Sequence, residues 1–227
     1  AADWLCRIQE PDGNIPPIIN SFTGRSTQID WPRLAFTACA LAEFGKAVGE
    51  GKYIQAATKS FEYLKRHLIP NSQFPIPNFE LTLAYFGQLS VALGKTKDAC
   101  SVGDKLLERS DAFLFDPITI AQLASFFKVL SKNDARFSAP FKNFAIILKE
   151  NFEKQISEKK SMNPVRGRAS NGVNLAVWAE LVNVFSDVDQ EFSENVAVWL
   201  KKHQLPNGSF PESTNSDFVY VRGTGKI

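Results

Sequence analysis

Residues 4 to 16 read Trp4-Leu5-Cys6-Arg7-Ile8-Gln9-Glu10-Pro11-Asp12-Gly13-Asn14-Ile15-Pro16, and the pattern returns twice along the chain. Its last copy is Trp199-Leu200-Lys201-Lys202-His203-Gln204-Leu205-Pro206-Asn207-Gly208-Ser209-Phe210-Pro211, and between them lies Tyr63-Leu64-Lys65-Arg66-His67-Leu68-Ile69-Pro70-Asn71-Ser72-Gln73-Phe74-Pro75. The aromatic residue and both prolines keep identical spacing in all three. Each residue type has a physical reason. The aromatic-Leu pair anchors the last turns of a helix and the first proline ends it; Asp12-Gly13 or Asn207-Gly208 then supplies the positive-φ residue that reverses the chain. Gln9 and Gln204 are placed to cap carbonyls exposed at that end.

Outward from these corners, apolar residues recur at spacings of three and four, the signal of amphipathic helices, and no strand pattern interrupts them. The periodicity predicts helices over about residues 1–9, 31–48, 52–68, 78–93, 96–109, 116–131, 138–158, 171–185 and 190–203. Those starting near 31, 78, 116 and 171 are rich in small and apolar residues, as in Leu34-Ala35-Phe36-Thr37-Ala38-Cys39-Ala40-Leu41 and Asn174-Leu175-Ala176-Val177-Trp178-Ala179, and belong inside. The others carry Lys, Glu and Arg along one face and belong outside. A fixed-period unit that cannot bury its own face must stack on copies of itself, and the outer helices recur roughly every 45 residues. The first interval is longer, and the copies ending near 110 and 158 are degenerate. The expectation is an all-α chain of about nine helices in one domain over 1–227, an incomplete ring of helical hairpins: an α/α toroid.

Composition narrows the function. A hydrophobic share of 44% in 227 residues allows a sizeable core, and 26 Lys+Arg against 24 Asp+Glu leave no basic footprint for nucleic acid. Four Trp and nineteen Phe exceed what a plain helical scaffold needs, so some rings are expected to line a cavity. Cys6, Cys39 and Cys100 are odd in number and lie within apolar helical patterns, which predicts buried free thiols and a reducing, cytoplasmic compartment. The longest apolar runs, such as Phe144 to Leu148, are too short to span a bilayer. The opening inside an amphipathic helix at Ala1-Ala2-Asp3-Trp4-Leu5 and the stop at Gly223-Thr224-Gly225-Lys226-Ile227 read as a piece of a longer chain.

A helix ending in Trp-Leu-x-x-x-Gln-x-Pro-Asp-Gly-x-x-Pro, as from Trp4 to Pro16, resembles the repeat of the terpenoid cyclase and protein prenyltransferase superfamily, whose members are α/α toroids. By motif the resemblance covers three short stretches, and toroid glycoside hydrolases and polysaccharide lyases use similar turns. Class II cyclases of that superfamily protonate substrate with Asp-x-Asp-Asp. The nearest match here, Asp187-Val188-Asp189-Gln190, also reads as an N-cap for the following helix. The prenyltransferase zinc site needs Asp, Cys and His, whereas His67 and His203 fall at outer-helix ends with no cysteine near either in sequence, so neither metal nor cofactor is expected.

In such a ring the N-termini of the inner helices crowd one mouth. That places Asp30, Trp31 and Arg33; Asn78 and Glu80; Asp116; Arg166, Arg168 and Asn171; and Tyr220, Arg222 and Lys226 around one opening. Cationic side chains together with helix N-termini point to an anionic ligand, small or oligosaccharide. Arg166-Gly167-Arg168 suits a bidentate clamp on carboxylate or phosphate, while Arg222-Gly223-Thr224-Gly225-Lys226 lacks the Walker spacing. The competing reading pairs these arginines with Asp30, Glu80 and Asp116 in a satisfied network.

If the site is catalytic, Asp30, Glu80 and Asp116 are the candidate acids or bases, with Glu180 a further carboxylate on an inner helix. Asp116 before Pro117 is equally an N-cap with proline at the first helical position. Trp31, Trp178 and Tyr220 are candidates to stack on a sugar or guard a carbocation. Three functions follow: a cyclase- or transferase-like toroid enzyme holding a diphosphate, a carbohydrate-active toroid acting on acidic sugars, and a non-catalytic helical binding scaffold.

Overall fold

Asp30 shows how local chemistry starts a helix in this chain: its carboxylate accepts the Arg33 N–H at 3.1 Å, with Pro32 in the first turn and Gly49 closing the far end at φ 72°. The computed structural model describes residues 1–17, 29–68, 78–108, 116–161 and 175–205. Among these the chain is all-helical, with no strand. The elements are α1 (Ala2–Ile8), α2 (Trp31–Val48), α3 (Gly51–Leu68), α4 (Phe79–Ala92), α5 (Thr96–Leu107), α6 (Pro117–Ser131), a short 3-10 turn (Ala135–Phe137), α7 (Ser138–Ser161), α8 (Leu175–Phe185) and α9 (Gln190–Lys201). Every expected helix is present, most within two or three residues of its anticipated ends. No helix among the described residues is long and apolar enough to cross a membrane.

The chain divides into two compact units, Ala1–Leu114 with Val129–Phe137, and Phe115–Lys128 with Ser138–Ile227. In the first, α2 lies against α3 and α4, α4 against α5, and α1 against α3. Phe36 meets Tyr85 early in α2 and α4, with ring centroids 5.3 Å apart, and Ala42 and Lys46 share a cavity with Ala92 and Leu93 at their far ends. The two helices are therefore parallel and start at the same end. They form an apolar layer, in which α4 buries Leu81 through Gly87 without a break, while α1, α3 and α5 form a polar layer over it. Phe61 of α3 stacks on Phe86 of α4 at 5.1 Å, and both are fully buried. Burial of each such ring contributes roughly 1.5–3 kcal/mol over leaving it exposed.

The second unit repeats the plan. Ser125 reaches Glu180, and Lys128 reaches Asn183, so α6 and α8 also run parallel as an apolar pair. Helices α7 and α9 cover them through Phe127 on Phe144 (5.6 Å) and Phe152 against Trp178 (5.1 Å) and Trp199 (5.6 Å). Neighbouring polar-layer helices are bridged alike in both units, by Lys65 to Asp98 at 2.7 Å and Lys149 to Asp189 at 2.9 Å.

The corners behave as equivalent pieces. Tyr63 and His67 sit with ring centroids 4.3 Å apart, as do Trp199 and His203, and each imidazole Nδ1 lies 2.7 or 2.9 Å from the carbonyl four residues back. Trp4 departs from this, being 51% exposed, because α1 meets α3 through Asp3 and Gln9 rather than through its indole. Gln9 Nε2 lies 3.3 Å from the Gly13 carbonyl, 2.8 Å from that of Ala56 and 2.9 Å from Ser60 Oγ, so instead of capping the end of its own helix it ties the turn to α3. The turn itself rests on α3: a Cβ at Gly13 would stand 2.3 Å from the Lys59 carbonyl oxygen, and its φ is 103°.

Two glycines with positive φ then give different outcomes. Gly13→Ala meets both the backbone strain and the clash with α3, and is expected to cost about 2–4 kcal/mol. Gly49→Ala, at φ 72° with open space around the new methyl, meets only the left-handed penalty of about 1–2 kcal/mol. Urea denaturation followed by circular dichroism separates them; equal losses would mean that the corner does not bear on α3.

Candidate functional site

The starting end of α2 and α4 carries five of the expected site residues, Asp30, Trp31 and Arg33 on one helix and Asn78 and Glu80 at the cap and in the first turn of the other. The Asp30 carboxylate caps α2, and Arg33 Nε lies 3.5 Å from its other oxygen. Arg33 Nη1 reaches the Pro17 carbonyl, also at 3.5 Å. Both contacts are long for a guanidinium, and the Arg33 side chain is 53% exposed. Trp31 lies over Tyr63 (6.1 Å, 22° between planes) and His67 (5.5 Å), so the corner aromatic and the first residue of α2 share one ring cluster. Burial pushes the Tyr63 hydroxyl pKa up.

Asp116 belongs to the second unit and caps α6. Its Oδ1 accepts from Ile118 N (2.9 Å) and Thr119 N (3.2 Å), and Oδ2 from Thr119 Oγ1 (2.7 Å), with Pro117 as the first helical residue. From it a polar ridge follows α6 at every third position through Thr119, Gln122, Ser125 and Lys128, which are 4%, 2%, 5% and 7% exposed. This ridge meets polar groups of α8. Ser125 Oγ donates to Glu180 Oε2 at 3.0 Å; Lys128 Nζ donates to the Asn183 carbonyl and to Ser186 Oγ (3.0 Å) and lies 3.4 Å from Asp187 Oδ2. Glu180 was singled out from its helix type; the four α6 residues were not, although their spacing of three is visible in the sequence.

Trp178 is 1% exposed and packs edge-on against Phe152, so within its unit it fills the core rather than a cavity wall. Arg166, Arg168, Asn171, Tyr220, Arg222 and Lys226 lie outside the described residues. Asp189 caps α9 through Phe192 N at 3.0 Å, the structural alternative raised for the Asp187–Gln190 stretch. Cys6, Cys39 and Cys100 form no disulfide among the described residues and are half-buried rather than covered, as each sits at the margin between the apolar and solvent faces of its helix. Among the described residues no three His, Cys, Asp or Glu side chains gather as a metal site.

Comparison with protein-family models, with curated proteins and with solved structures finds no match for this chain. Its chemistry therefore rests on its own residues. Of the three expected acids, Asp30 and Asp116 hold helix N–H donors, which places them as structural caps at the starts of α2 and α6, while Glu80 stands one residue inside α4 and not at a cap position.

One carboxylate with a clear pH signature is Asp189, whose pKa is held below its ordinary value of 3.8, chiefly by the hydrogen bond from Lys149 and then by that from Phe192 N. A carboxylate depressed in the folded state adds stability above the unfolded pKa and loses it as pH falls through the folded one. Asp189→Asn keeps a capping oxygen but not the charge. It should melt below the parent protein at pH 7, and the gap in Tm should close between about pH 4 and pH 2. A gap constant over that range would remove the ion pair as its source.

Proposed function

We propose that these helical hairpins are arcs of an α/α toroid like those of the terpenoid cyclase and prenyltransferase superfamily, and that the chain binds an anionic ligand, a diphosphate or carboxylate, at the end where the apolar-layer helices start. Arg33 carries this reading. Charge-assisted hydrogen bonds run at about 2.7–2.9 Å, so among the described residues contacts of 3.5 Å to Asp30 and Pro17 leave most of the Arg33 fork open in the first turn of α2. Arg166, Arg168, Arg222 and Lys226 supply further cations and Asn171 and Tyr220 further donors in this reading, and Glu80 is its candidate acid or base. The caps at Asp30 and Asp116 favour binding over proton transfer by those two groups, because protonating either gives up a helix-terminal acceptor.

A second reading is the non-catalytic scaffold, in which Arg–carboxylate pairs of the Asp30–Arg33 kind close the mouth to small ligands. The carbohydrate-active alternative differs in its ligand, an acidic sugar.

Calorimetry with inorganic pyrophosphate and with an oligogalacturonide separates the three. A hydrogen bond to a charged group contributes about 1.5–3 kcal/mol, so Arg33→Ala should weaken the bound anion by at least about tenfold, and Arg166→Ala with Arg168→Ala should abolish binding. Preference for the oligogalacturonide moves the assignment to the sugar-acting class. No binding of either anion, or affinity unchanged in both variants, leaves the scaffold reading.

A further inference from the structure

A helix that is apolar on most of its sides needs neighbours on most of its sides. Within the first unit α4 has them, for Leu81 through Gly87 are all buried, but its parallel neighbour α2 does not. Leu34, Ala38, Leu41 and Gly45 of α2 are buried, while a second side of the helix carries Thr37, half-buried, and Ala40, Phe44 and Ala47, all exposed. Phe44 is 44% exposed even though its ring lies edge-on to Tyr53 of α3 at 5.1 Å. Ile29, just before α2, and Val48, its last residue, are open as well. Single apolar residues on a surface are ordinary. Here Thr37, Ala40, Phe44 and Ala47 follow one another at spacings of three, four and three, which sets them in line as the a and d positions of a coiled-coil seam.

This seam matches a second copy of itself when the two helices run antiparallel. Positions a of one helix then lie level with positions d of the other, so Thr37 faces the partner's Ala40 and Ala40 the partner's Thr37. These four small side chains let the backbones approach closely. One layer further out, Arg33 faces the partner's Phe44. Its guanidinium, whose contacts to Asp30 and Pro17 are both 3.5 Å, can stack on that ring. It also comes within reach of the partner's Glu43, which is exposed and forms no ion pair among the described residues. The exposed Ile29 comes level with the partner's Val48. A parallel pairing instead sets Arg33 on Arg33 and Phe44 on Phe44, and loses both the charge match and the size match.

From this we infer that the chain forms a two-fold dimer in which two copies of α2 pack antiparallel along this seam. Closed contacts of this self-complementary kind are the commonest way in which soluble chains pair with themselves. The inference does not rest on the anion-binding reading above, although an anion and the partner's Glu43 would compete for the one Arg33 guanidinium.

Sedimentation equilibrium of the full chain should show a monomer–dimer equilibrium at micromolar concentration. Ala40→Glu and Thr37→Lys each put two unpaired charges into the seam and should each weaken the dimer at least tenfold. Circular dichroism should be unchanged in both, because the two positions lie on the open side of α2. Mixed in equal amounts, the two variants should recover a dimer, since across an antiparallel pair the introduced carboxylate meets the introduced ammonium while the other Thr37–Ala40 contact stays native. A chain that remains monomeric at hundreds of micromolar overturns the inference, and would leave a different helical partner to cover α2. So does a dimer that Ala40→Glu leaves intact, or a mixture of the two variants that stays monomeric. Pyrophosphate titrated into the monomeric Ala40→Glu chain tests the anion reading by itself, so the two proposals can fail separately.

Discussion

The Gly13 carbonyl lies where three demands on one corner meet. The chain must leave α1, reverse, and rest on the next polar-layer helix, and the backbone of α3 at Lys59 and Ser60 leaves no room for a Cβ. Ser60 Oγ donates to the Gly13 carbonyl at 2.7 Å while lying 2.9 Å from the Gln9 amide, so the buried hydroxyl serves both sides of the junction. Asn14 Nδ2 donates to Glu10 Oε2 at 2.6 Å, and the Asn14 N–H donates to Asp12 Oδ1 at 3.0 Å, which holds the turn. The helix spacing is thereby set by backbone contact and hydrogen-bond geometry, and apolar packing then fills a space already defined. In a repeat protein that is the nearest-neighbour term on which stacking depends.

The two apolar pairs solve the problem of buried polar groups differently. In α4 the Thr and Ser hydroxyls turn back on their own helix, Thr82 to the Asn78 carbonyl at 3.0 Å and Ser90 to that of Phe86 at 2.7 Å, and α4 meets α2 through ring packing such as Tyr85 on Phe36. In α6 they reach across to α8. A buried polar group left unpaired costs about 1–3 kcal/mol, so sliding α6 against α8 by one turn would strand Ser125, Lys128 and Glu180 together, whereas a slide of α2 against α4 would lose only packing. Register is thus specified chemically in one unit and sterically in the other. Lys128, next to the C-terminal carbonyls of α8, also complements the dipole there.

What the sequence made legible follows the same physics. Helix starts were readable because Asp30 with Pro32 and Asp116 with Pro117 leave one local solution, whereas the partners of Gln9 lie across on α3 and could not be read from its offset to Pro11. The α6 ridge was not, since Thr119, Gln122 and Ser125 are ordinary residues for a small-residue inner helix, and their meaning arises only when Glu180 and Asn183 are brought opposite. Asp30 and Asp116 carried two readings because a cap and a catalytic acid use the same residue at the same place; only the partner N–H distinguishes them. Trp4 misled for a related reason: the repeat identifies equivalent positions, but burial depends on what lies against them.

The ends of the α2/α4 layer differ in what they have left to offer an anion. At the starting end the strongest helix-terminal donor is already taken by the Asp30 carboxylate, so attraction there must come from side-chain cations, and Arg33 is tethered to the acid that caps its helix. At the finishing end the turns at Gly49 and Gly94 take up the carbonyls of Lys46 and Val91, and the negative end of each helix dipole favours the lysines, Lys46 and Lys95, that stand there. The two ends of one helix pair thus carry opposite demands: the starting end spends an acid on its own donors, and the finishing end holds cations against its own carbonyls.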